Sequence, residues 1–315
     1  MAEIAIVGTG FIGRAWAISH ARAGNQVRLW DQDADATGKA KDFIAAMLPD
    51  LSANDLLNGA SPEAVLDRIH STPDLATAVN GVVHVQESTF ERLDVKIAVF
   101  RDLDAATPRD AVIASSTSAL LPSTFTADLD GRDRCLVVHP INPPYLIPAA
   151  EVVPAPWTSA ATTDRTVALL RAIGQRPIAM KREIDGFVMN RLQGAVLEEA
   201  FRLVADGYAS VEDIETGLRD GLALRWSFMG PFETIDLNAP AGVRDYVERY
   251  EGIYRDIWPS TQRRIDWNGP VIDEVEQDRR KRLPADQLQD RQVWRDKRLM
   301  ALLAHKRKAD REIGE

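Results

Sequence analysis

Hydrophobic positions in the first half of the chain follow two alternating patterns. Short runs rich in β-branched residues, typical of buried strands, are separated by longer amphipathic segments of helix length. These runs begin at residues 3, 26, 82, 111, 134 and 176, with the sequences EIAIVG, QVRLWD, VVHVQE, AVIASS, RCLVVH and RPIAMK. Strands separated by helices predict repeated βαβ units, and so an α/β fold with a doubly wound, mostly parallel sheet.

The pattern changes after about Ile184. The segment GFVMNRLQGAVLEEAFRLVADG, residues 186–207, carries apolar residues at helical spacing, and few strand signals follow it. We therefore predict an α/β domain over residues 1–184 and an all-helical C-terminal domain over residues 185–315. The charged tail from Asp278 keeps only a thin apolar stripe, typical of a solvated helix that packs one face on its own domain or on a partner.

Composition narrows the possible partners. The 315 residues are 45% hydrophobic and carry a formal net charge of −9, which repels nucleic acid and anionic membrane surfaces. No run approaches the roughly 20 apolar residues of a membrane span. The single cysteine, Cys135, excludes an internal disulfide and is typical of a reducing compartment. We expect a cytoplasmic protein with neither nucleic acid nor membrane as a partner, and no clustered ligand spacing indicates a metal site.

A glycine-rich turn follows the first predicted strand. The motif GTGFIG places Gly8, Gly10 and Gly13 around Phe11 and Ile12, directly before a helical segment. The first glycine permits a tight turn, the second lets backbone amides approach a pyrophosphate, and the third lets helix and strand pack closely. The positive helix N-terminus favours a diphosphate there. In this context the motif predicts a Rossmann-type dinucleotide site.

An acid at the end of the second predicted strand indicates which dinucleotide binds. Asp31 lies eighteen residues after Gly13. A carboxylate there can accept hydrogen bonds from the ribose hydroxyls and repels a 2′-phosphate. The sequence therefore favours NAD over NADP as the cofactor.

The stretch HPINPPYLIPAAEVV combines one histidine, four prolines and one acid. His139 falls where a predicted strand ends, at the edge of the sheet where ligands bind in open α/β folds. Glu151 follows twelve residues later, as an apparent strand returns, so its carboxylate can reach the imidazole if the proline segment loops out. Such a pair can act as a general base with an orienting acid. The alternative is structural, with His139 ending a strand and Glu151 solvated.

These residues resemble the 3-hydroxyacyl-CoA dehydrogenase family. That family has His, Asn-Pro three residues on and Glu twelve residues on, as in His139, Asn142-Pro143 and Glu151. Its Thr-Ser motif and its GFxxNR motif are matched by SSTSALLPS and GFVMNR, which contain Ser118 and Asn190.

The resemblance implies roles for these positions. His139 is expected to be the base, Glu151 to orient it, and Ser118 and Asn190 to bind the substrate oxygens. Glu87 in VVHVQES matches a family acid near the nicotinamide ribose. Family members are usually dimers through the helical domain, so a homodimer is expected as well.

Within the family the likeness is greatest to the λ-crystallin branch, the L-gulonate 3-dehydrogenases. It extends over nearly the whole chain, through motifs such as HPINPPY, GPFETIDLNA and WRDKRLM. The acyl-CoA branch fits less well, because the arm at residues 49–73 has four acids, one arginine and no lysine to meet the phosphates of coenzyme A. The function expected is NAD-dependent oxidation of the 3-hydroxyl of a small hydroxy acid, with L-gulonate favoured.

Arg225 is the predicted contact for a free carboxylate. It lies in LALRWSFMGPFE beside a Gly-Pro turn, and a guanidinium binds a carboxylate as a bidentate fork. A surface ion pair is the alternative. L-carnitine dehydrogenases share LRWSFMG, and a box of Trp226, Phe228 and Tyr145 would suit the trimethylammonium of carnitine. Two further alternatives are retained 3-hydroxyacyl-CoA activity and a catalytically silent NAD-binding structural protein.

Overall fold

The chain forms two compact units in a computed structural model that describes residues 2–314. The residues through Met189, together with Asp296–His305, form the first unit. Asn190–Arg295 and the residues from Lys306 onward form the second. The division between the two units, after Met189, thus lies a few residues beyond the boundary predicted between residues 184 and 185. They also assign part of the tail to the first unit, because Met300 is buried in its core.

One eight-stranded sheet organises the first unit. Its strands are β1 Glu3–Val7, β2 Gln26–Trp30, β3 Ile69–Ser71, β4 His84–Glu87, β5 Val112–Ser115, β6 Cys135–Pro140, β7 Ala149–Pro154 and β8 Arg176–Ala179. The strand order is β3-β2-β1-β4-β5-β6-β7-β8. All neighbouring strands are parallel except the antiparallel pair β6 and β7. The predicted doubly wound, mostly parallel sheet is confirmed.

Two layers of helices cover this sheet. Ile4 and Ile6 of β1 face one buried cluster while Ala5 and Val7 face another, since alternate side chains of a strand point to opposite faces. The helices of this unit that precede β8 are α1 Phe11–Arg22, α2 Ala36–Ala53, α3 Pro62–Leu66, α4 Leu75–Val79, α5 Leu93–Ala106, α6 Pro122–Thr126 and α7 Ala160–Ala172. A short 3₁₀ helix, Arg132–Arg134, precedes β6.

The short strand β3 is the one strand that the hydrophobic pattern did not predict. It has three residues and buries only Ile69, so it offers no apolar run. Its backbone pairs with β2 from Val27 to Leu29 and forms an edge of the sheet. Pairing with a neighbour, rather than its own sequence, therefore makes this segment a strand.

The second unit is helical, as predicted. Its helices are α8 Met189–Ala205, α9 Val211–Thr216, α10 Ala223–Trp226, α11 Pro231–Asp236, α12 Val243–Thr261, α13 Pro270–Arg282 and α14 Leu288–Ile313, of which α14 also contributes to the first unit. A π-helical turn, Gly217–Leu222, joins α9 to α10, and a 3₁₀ turn, Ala285–Gln287, precedes α14. A small buried cluster forms around Val204, Val211 and Val271. Among residues 2–314, no helix is both long and apolar enough to cross a bilayer.

Candidate active site

The glycine turn joins β1 to α1 at the carboxyl edge of the sheet. A Cβ on Gly13 would lie 1.9 Å from the carbonyl oxygen of Gly8, so only glycine allows the helix to approach the turn this closely. Gly8 has a φ of +88°, and a Cβ there would meet the backbone of Ser88 at 2.7 Å. By contrast, no atom lies within 4 Å of a Cβ built on Gly10. The middle of the turn is therefore open for a diphosphate to approach the backbone, so the turn fits a dinucleotide.

Phe11 and Ile12 are the first two residues of α1. The side chain of Phe11 is 70% exposed, and that of Ile12 is half-buried. Both lie at the helix N-terminus, where backbone N–H groups are available to an anionic ligand. The structure thus places them where the sequence predicted, although their contact with a cofactor remains a proposal.

Asp31 follows β2 and closes over the glycine turn. Its Oδ2 accepts hydrogen bonds from the backbone N–H of Thr9 at 2.6 Å and from the Thr9 hydroxyl at 3.1 Å. Its Oδ1 accepts from the backbone N–H of Asp33 at 3.0 Å. The carboxylate therefore lies beside the turn at the position expected of a ribose ligand, and it also fixes the conformation of the turn.

Glu87 does not lie as predicted. Its side chain is fully buried at the end of β4, and the ammonium of Lys96 contacts its two oxygens at 2.8 and 3.0 Å. The Ser115 hydroxyl donates to Oε2 at 2.7 Å, while Thr89 donates to Oε1 through its N–H at 2.5 Å and its hydroxyl at 2.6 Å. Because this side chain is fully buried, unlike that of Asp31, and bonds protein groups through both oxygens, it holds the β4–α5 loop and cannot contact a nicotinamide ribose.

His139 and Glu151 form a buried pair at the same edge of the sheet. They are directly opposite each other in the antiparallel pairing of β6 and β7. The Nδ1 of His139 lies 2.7 Å from the Oε2 of Glu151. His139 is only 5% exposed and Glu151 is fully buried. The prediction that the two side chains meet is confirmed, which leaves the Nε2 of His139 as the nitrogen that can take a proton from a substrate.

The second oxygen of Glu151 is also fixed. Its Oε1 accepts hydrogen bonds from the backbone N–H groups of Val188 at 2.6 Å and Met189 at 2.9 Å. Burial alone would raise the pKa of this carboxyl, but the hydrogen bonds from His139, Met189 and Val188 together lower it below its usual value. An ionised Glu151 at neutral pH can hold the Nδ1 proton of His139 and stabilise an imidazolium.

Ser118 lies on the loop after β5, the strand next to β6. The backbone N–H of Ser118 donates to the Oε1 of Glu91 at 2.9 Å, and the hydroxyl of Thr117 donates to the same oxygen at 2.5 Å. Ala119 donates a further backbone bond to it at 3.2 Å. Glu91 thus links the loop after β4 to the loop that carries Ser118. Sequence reasoning did not identify Glu91, which stands in a polar stretch without a distinguishing pattern.

Two predicted substrate contacts belong to the helical unit. Asn190 is the second residue of α8 and follows Met189 directly in the chain. Arg225 is exposed on α10, and its Nη1 forms a weak hydrogen bond of 3.4 Å with the Oδ1 of Asn238. No carboxylate of the described residues forms an ion pair with Arg225, so the surface ion pair considered as an alternative is absent from this part of the chain.

The aromatic residues suggested for a carnitine box lie in unlike environments. Tyr145 is 1% exposed and packs in the core of the first unit. Trp226 and Phe228 are 41% and 70% exposed in the second unit. A phenol ring buried in a hydrophobic core cannot present its face to a ligand cation, so Tyr145 does not serve as a wall of such a box. The described residues also contain no group of three or more His, Cys, Asp or Glu side chains able to hold a metal ion.

Comparison with known proteins gives a consistent assignment. Residues 3–184 match the family model of the 3-hydroxyacyl-CoA dehydrogenase NAD-binding domain, and residues 186–268 match that of its C-terminal domain. Lambda-crystallin from Oryctolagus cuniculus is 42% identical over 308 residues, 97% of this chain and 96% of that protein. L-Carnitine dehydrogenase from Streptomyces griseus is 41% identical over 240 residues, 76% of this chain and 70% of that protein.

A solved structure resembles the chain over nearly its full length. It is 5-formyl-3-hydroxy-2-methylpyridine 4-carboxylic acid 5-dehydrogenase, described as an NAD⁺-dependent dismutase. The TM-score is 0.83 at 26% identity, with 98% of this chain and 99% of that chain covered.

Proposed function

Because the chain belongs to the 3-hydroxyacyl-CoA dehydrogenase family and is an NAD-dependent dehydrogenase, we propose that it oxidises the 3-hydroxyl of a small, free hydroxy acid. L-Gulonate is the leading candidate, since the resemblance to the λ-crystallin branch implies it. The observation that carries the proposal is the buried pair of His139 and Glu151, joined at 2.7 Å. A neutral imidazole held by an ionised carboxylate is suited to remove a hydroxyl proton.

In this mechanism each side chain has one task. His139 accepts the 3-hydroxyl proton at Nε2, because Nδ1 is held by Glu151. Glu151 stabilises the resulting positive charge. Ser118 and Asn190 bind the substrate oxygen, and Glu91 positions the Ser118 backbone. Gly10, Phe11, Ile12 and Asp31 would hold NAD, which supplies the hydride acceptor when bound.

The substrate class follows from charge. The exposed guanidinium of Arg225 has no carboxylate partner among the described residues, so it is available to a carboxylate ligand. The hydrogen bond between the Tyr246 and Tyr254 hydroxyls raises the pKa of the Tyr246 phenol, and the nearby positive charge of Arg225 partly offsets that rise. Arg225, Asn238 and Tyr246 therefore form a polar patch in which a carboxylate and hydroxyl groups could both find partners.

The relatives support a free carboxylate. L-Carnitine is itself a 3-hydroxy carboxylate, and the similar dehydrogenase structure is named for a pyridine carboxylic acid. L-Carnitine remains the second candidate, weakened by the burial of Tyr145. A coenzyme A thioester is disfavoured, because the acidic arm at residues 49–73 would repel its phosphates.

A homodimer is part of the proposal. Many apolar side chains of α8 and α12 are exposed in the single chain, among them Leu192 at 62% and Ile253 at 59%. Exposed apolar stripes on helices mark association surfaces. A cytoplasmic location stays a prediction that rests on the single cysteine.

A substrate panel tests the function. NADH formation is measured with L-gulonate, L-carnitine, 3-hydroxybutyrate and 3-hydroxybutyryl-CoA at neutral to alkaline pH, where a histidine base starts unprotonated. We expect the highest kcat/KM with L-gulonate and the lowest with the thioester. A preference for the thioester would contradict the proposal.

Variants of Arg225 test the carboxylate contact. Arg225→Ala and Arg225→Lys should raise KM for the hydroxy acid about 10-fold or more, since a charge-assisted hydrogen bond contributes about 1.5–3 kcal/mol. The control is Arg249→Ala in α12, whose guanidinium is already paired with Asp245 at 2.6 Å. An unchanged KM in both Arg225 variants would rule out the role.

A further inference from the structure

Arg14 stands out among the arginines of the first unit. It lies in the first turn of α1, one residue after the glycine turn, and is half-buried. No described residue accepts a hydrogen bond from its side chain or forms an ion pair with its guanidinium. By contrast, Arg22 donates to the Tyr145 carbonyl at 2.8 Å, and Arg28 pairs with Glu3 at 2.7 Å.

Aromatic rings hold the Arg14 guanidinium. Its central carbon lies 3.5 Å from the ring centroid of Phe43 in α2 and 4.6 Å from that of Phe11. Such cation–π contacts fix the position of a guanidinium but leave its N–H donors without acceptors. Partial burial without an anionic partner lowers the pKa of Arg14 below its usual value, and the phenol of Tyr145 offsets this only in part.

The side chain is directed toward the start of the helix. Helical side chains lean toward the N-terminus, and contact with Phe11, the first residue of α1, places the guanidinium beside the first turn. The middle of the glycine turn, at Gly10, is open on the same helix terminus. A dinucleotide bound there brings its diphosphate to the same helix terminus as the Arg14 guanidinium.

We propose that Arg14 is a further cofactor-binding residue, which pairs with the diphosphate of NAD. The helix N-terminus supplies backbone N–H groups and partial positive charge, and Arg14 adds a full charge with several donors. The diphosphate provides the anionic partner that the described protein residues do not. This role is independent of which hydroxy acid the enzyme oxidises.

Binding measurements on the whole protein without substrate test this role. Arg14→Met keeps an apolar stem between Phe11 and Phe43 but removes the charge. By titration calorimetry, we expect the Kd for NAD and for ADP-ribose to rise about 10-fold, and the Kd for adenosine, which lacks the diphosphate, to change less than 2-fold. Arg14→Lys, which retains a charge, should recover part of the affinity.

The matched control is Arg109→Met. Arg109 is an exposed arginine after α5, paired with Asp104 at 3.7 Å, and its replacement should leave all three Kd values unchanged. Thermal unfolding of each variant confirms that it is folded. An unchanged Kd for NAD in Arg14→Met, or an equal loss of affinity for adenosine and ADP-ribose, would overturn the proposal.

Discussion

The two units of this chain bury their helices to very different extents. In the first unit, α1 buries nine of its twelve residues, whereas α12 in the second unit has nineteen residues and buries none. Yet α12 carries apolar residues at helical spacing, including Val247, Ile253 and Trp258, which are 47 to 59% exposed. The first unit thus has a folded core, and the second presents an exposed apolar face.

This contrast extends to the polar groups. The first unit encloses charged and titratable side chains, such as Lys96, Glu87 and Glu151, because a packed sheet and its loops supply hydrogen bonds to them. The arginines and acids of the second unit pair mostly at its surface. Buried charged side chains therefore lie mainly in the first unit, and exposed ion pairs are common in the second.

The largest effect is expected from breaking a buried charge pair of the first unit. Lys96→Met leaves the fully buried Glu87 without its cation, which should lower the free energy of unfolding by about 3–5 kcal/mol. Lys39→Met, which removes a surface pair with Asp33 at 3.9 Å, should cost about 0–1 kcal/mol. Urea unfolding measures both, and equal small losses would contradict the role given to burial.

A charge on the apolar face of the second unit should break the proposed dimer. Ile253→Asp removes an interface side chain and buries an unpaired carboxylate, at a cost of about 2 kcal/mol or more, which raises the dimer Kd about 30-fold. Glu248→Lys, on the polar side of the same helix, should leave it unchanged. Sedimentation equilibrium measures the Kd. A wild-type protein that remains monomeric at all concentrations would contradict the dimer.

Two buried histidines should make the first unit sensitive to mild acid. Burial lowers the pKa of His20 to about 3 and that of His84 to about 4. In the unfolded chain the two imidazoles bind protons near the ordinary pKa of 6.5. Their contribution to stability is therefore complete above pH 6.5, and it is lost as the pH falls toward their lowered pKa values. Each histidine should cost about 1 kcal/mol between pH 6.5 and 5.5.

The acid effect is measured as the difference between wild type and His20→Gln/His84→Gln in urea unfolding at the two pH values. The double variant should lose less stability than wild type over this interval. His70→Gln, at an exposed site, is the control and should behave as wild type. A wild-type free energy that falls no faster than that of the double variant would show that these imidazoles are not buried as described.

Much of the first unit could be predicted from the sequence because its signals are local. β-Branched runs, the glycine turn and the twelve-residue spacing of His139 and Glu151 are each fixed by neighbouring residues and by strand geometry. What could not be predicted depends on distant contacts. Lys96 in α5 has the sequence features of a surface lysine, and only the loop around Glu87 explains its burial.

For the second unit, the sequence predicted the helices but not their partners. Its helices were predicted from their periodicity, but periodicity reports an apolar face and not what covers that face. The roles of Asn190 and Arg225 stay predictions for the same reason, since they depend on a ligand as well as on the chain. Glu91 was not predicted from the sequence. Its Oε1 accepts hydrogen bonds from Thr117, Ser118 and Ala119, which are 26 to 28 residues away, and such contacts leave no pattern in the sequence.

The most direct test of the central claim is the turnover of His139→Asn. Asparagine is close to histidine in size but cannot act as the base, so kcat for the hydroxy acid should fall at least ~100-fold. The Kd for NAD should remain that of the wild type. Near-normal turnover in this variant would contradict the assignment of the buried pair of His139 and Glu151 as the catalytic base and its orienting acid.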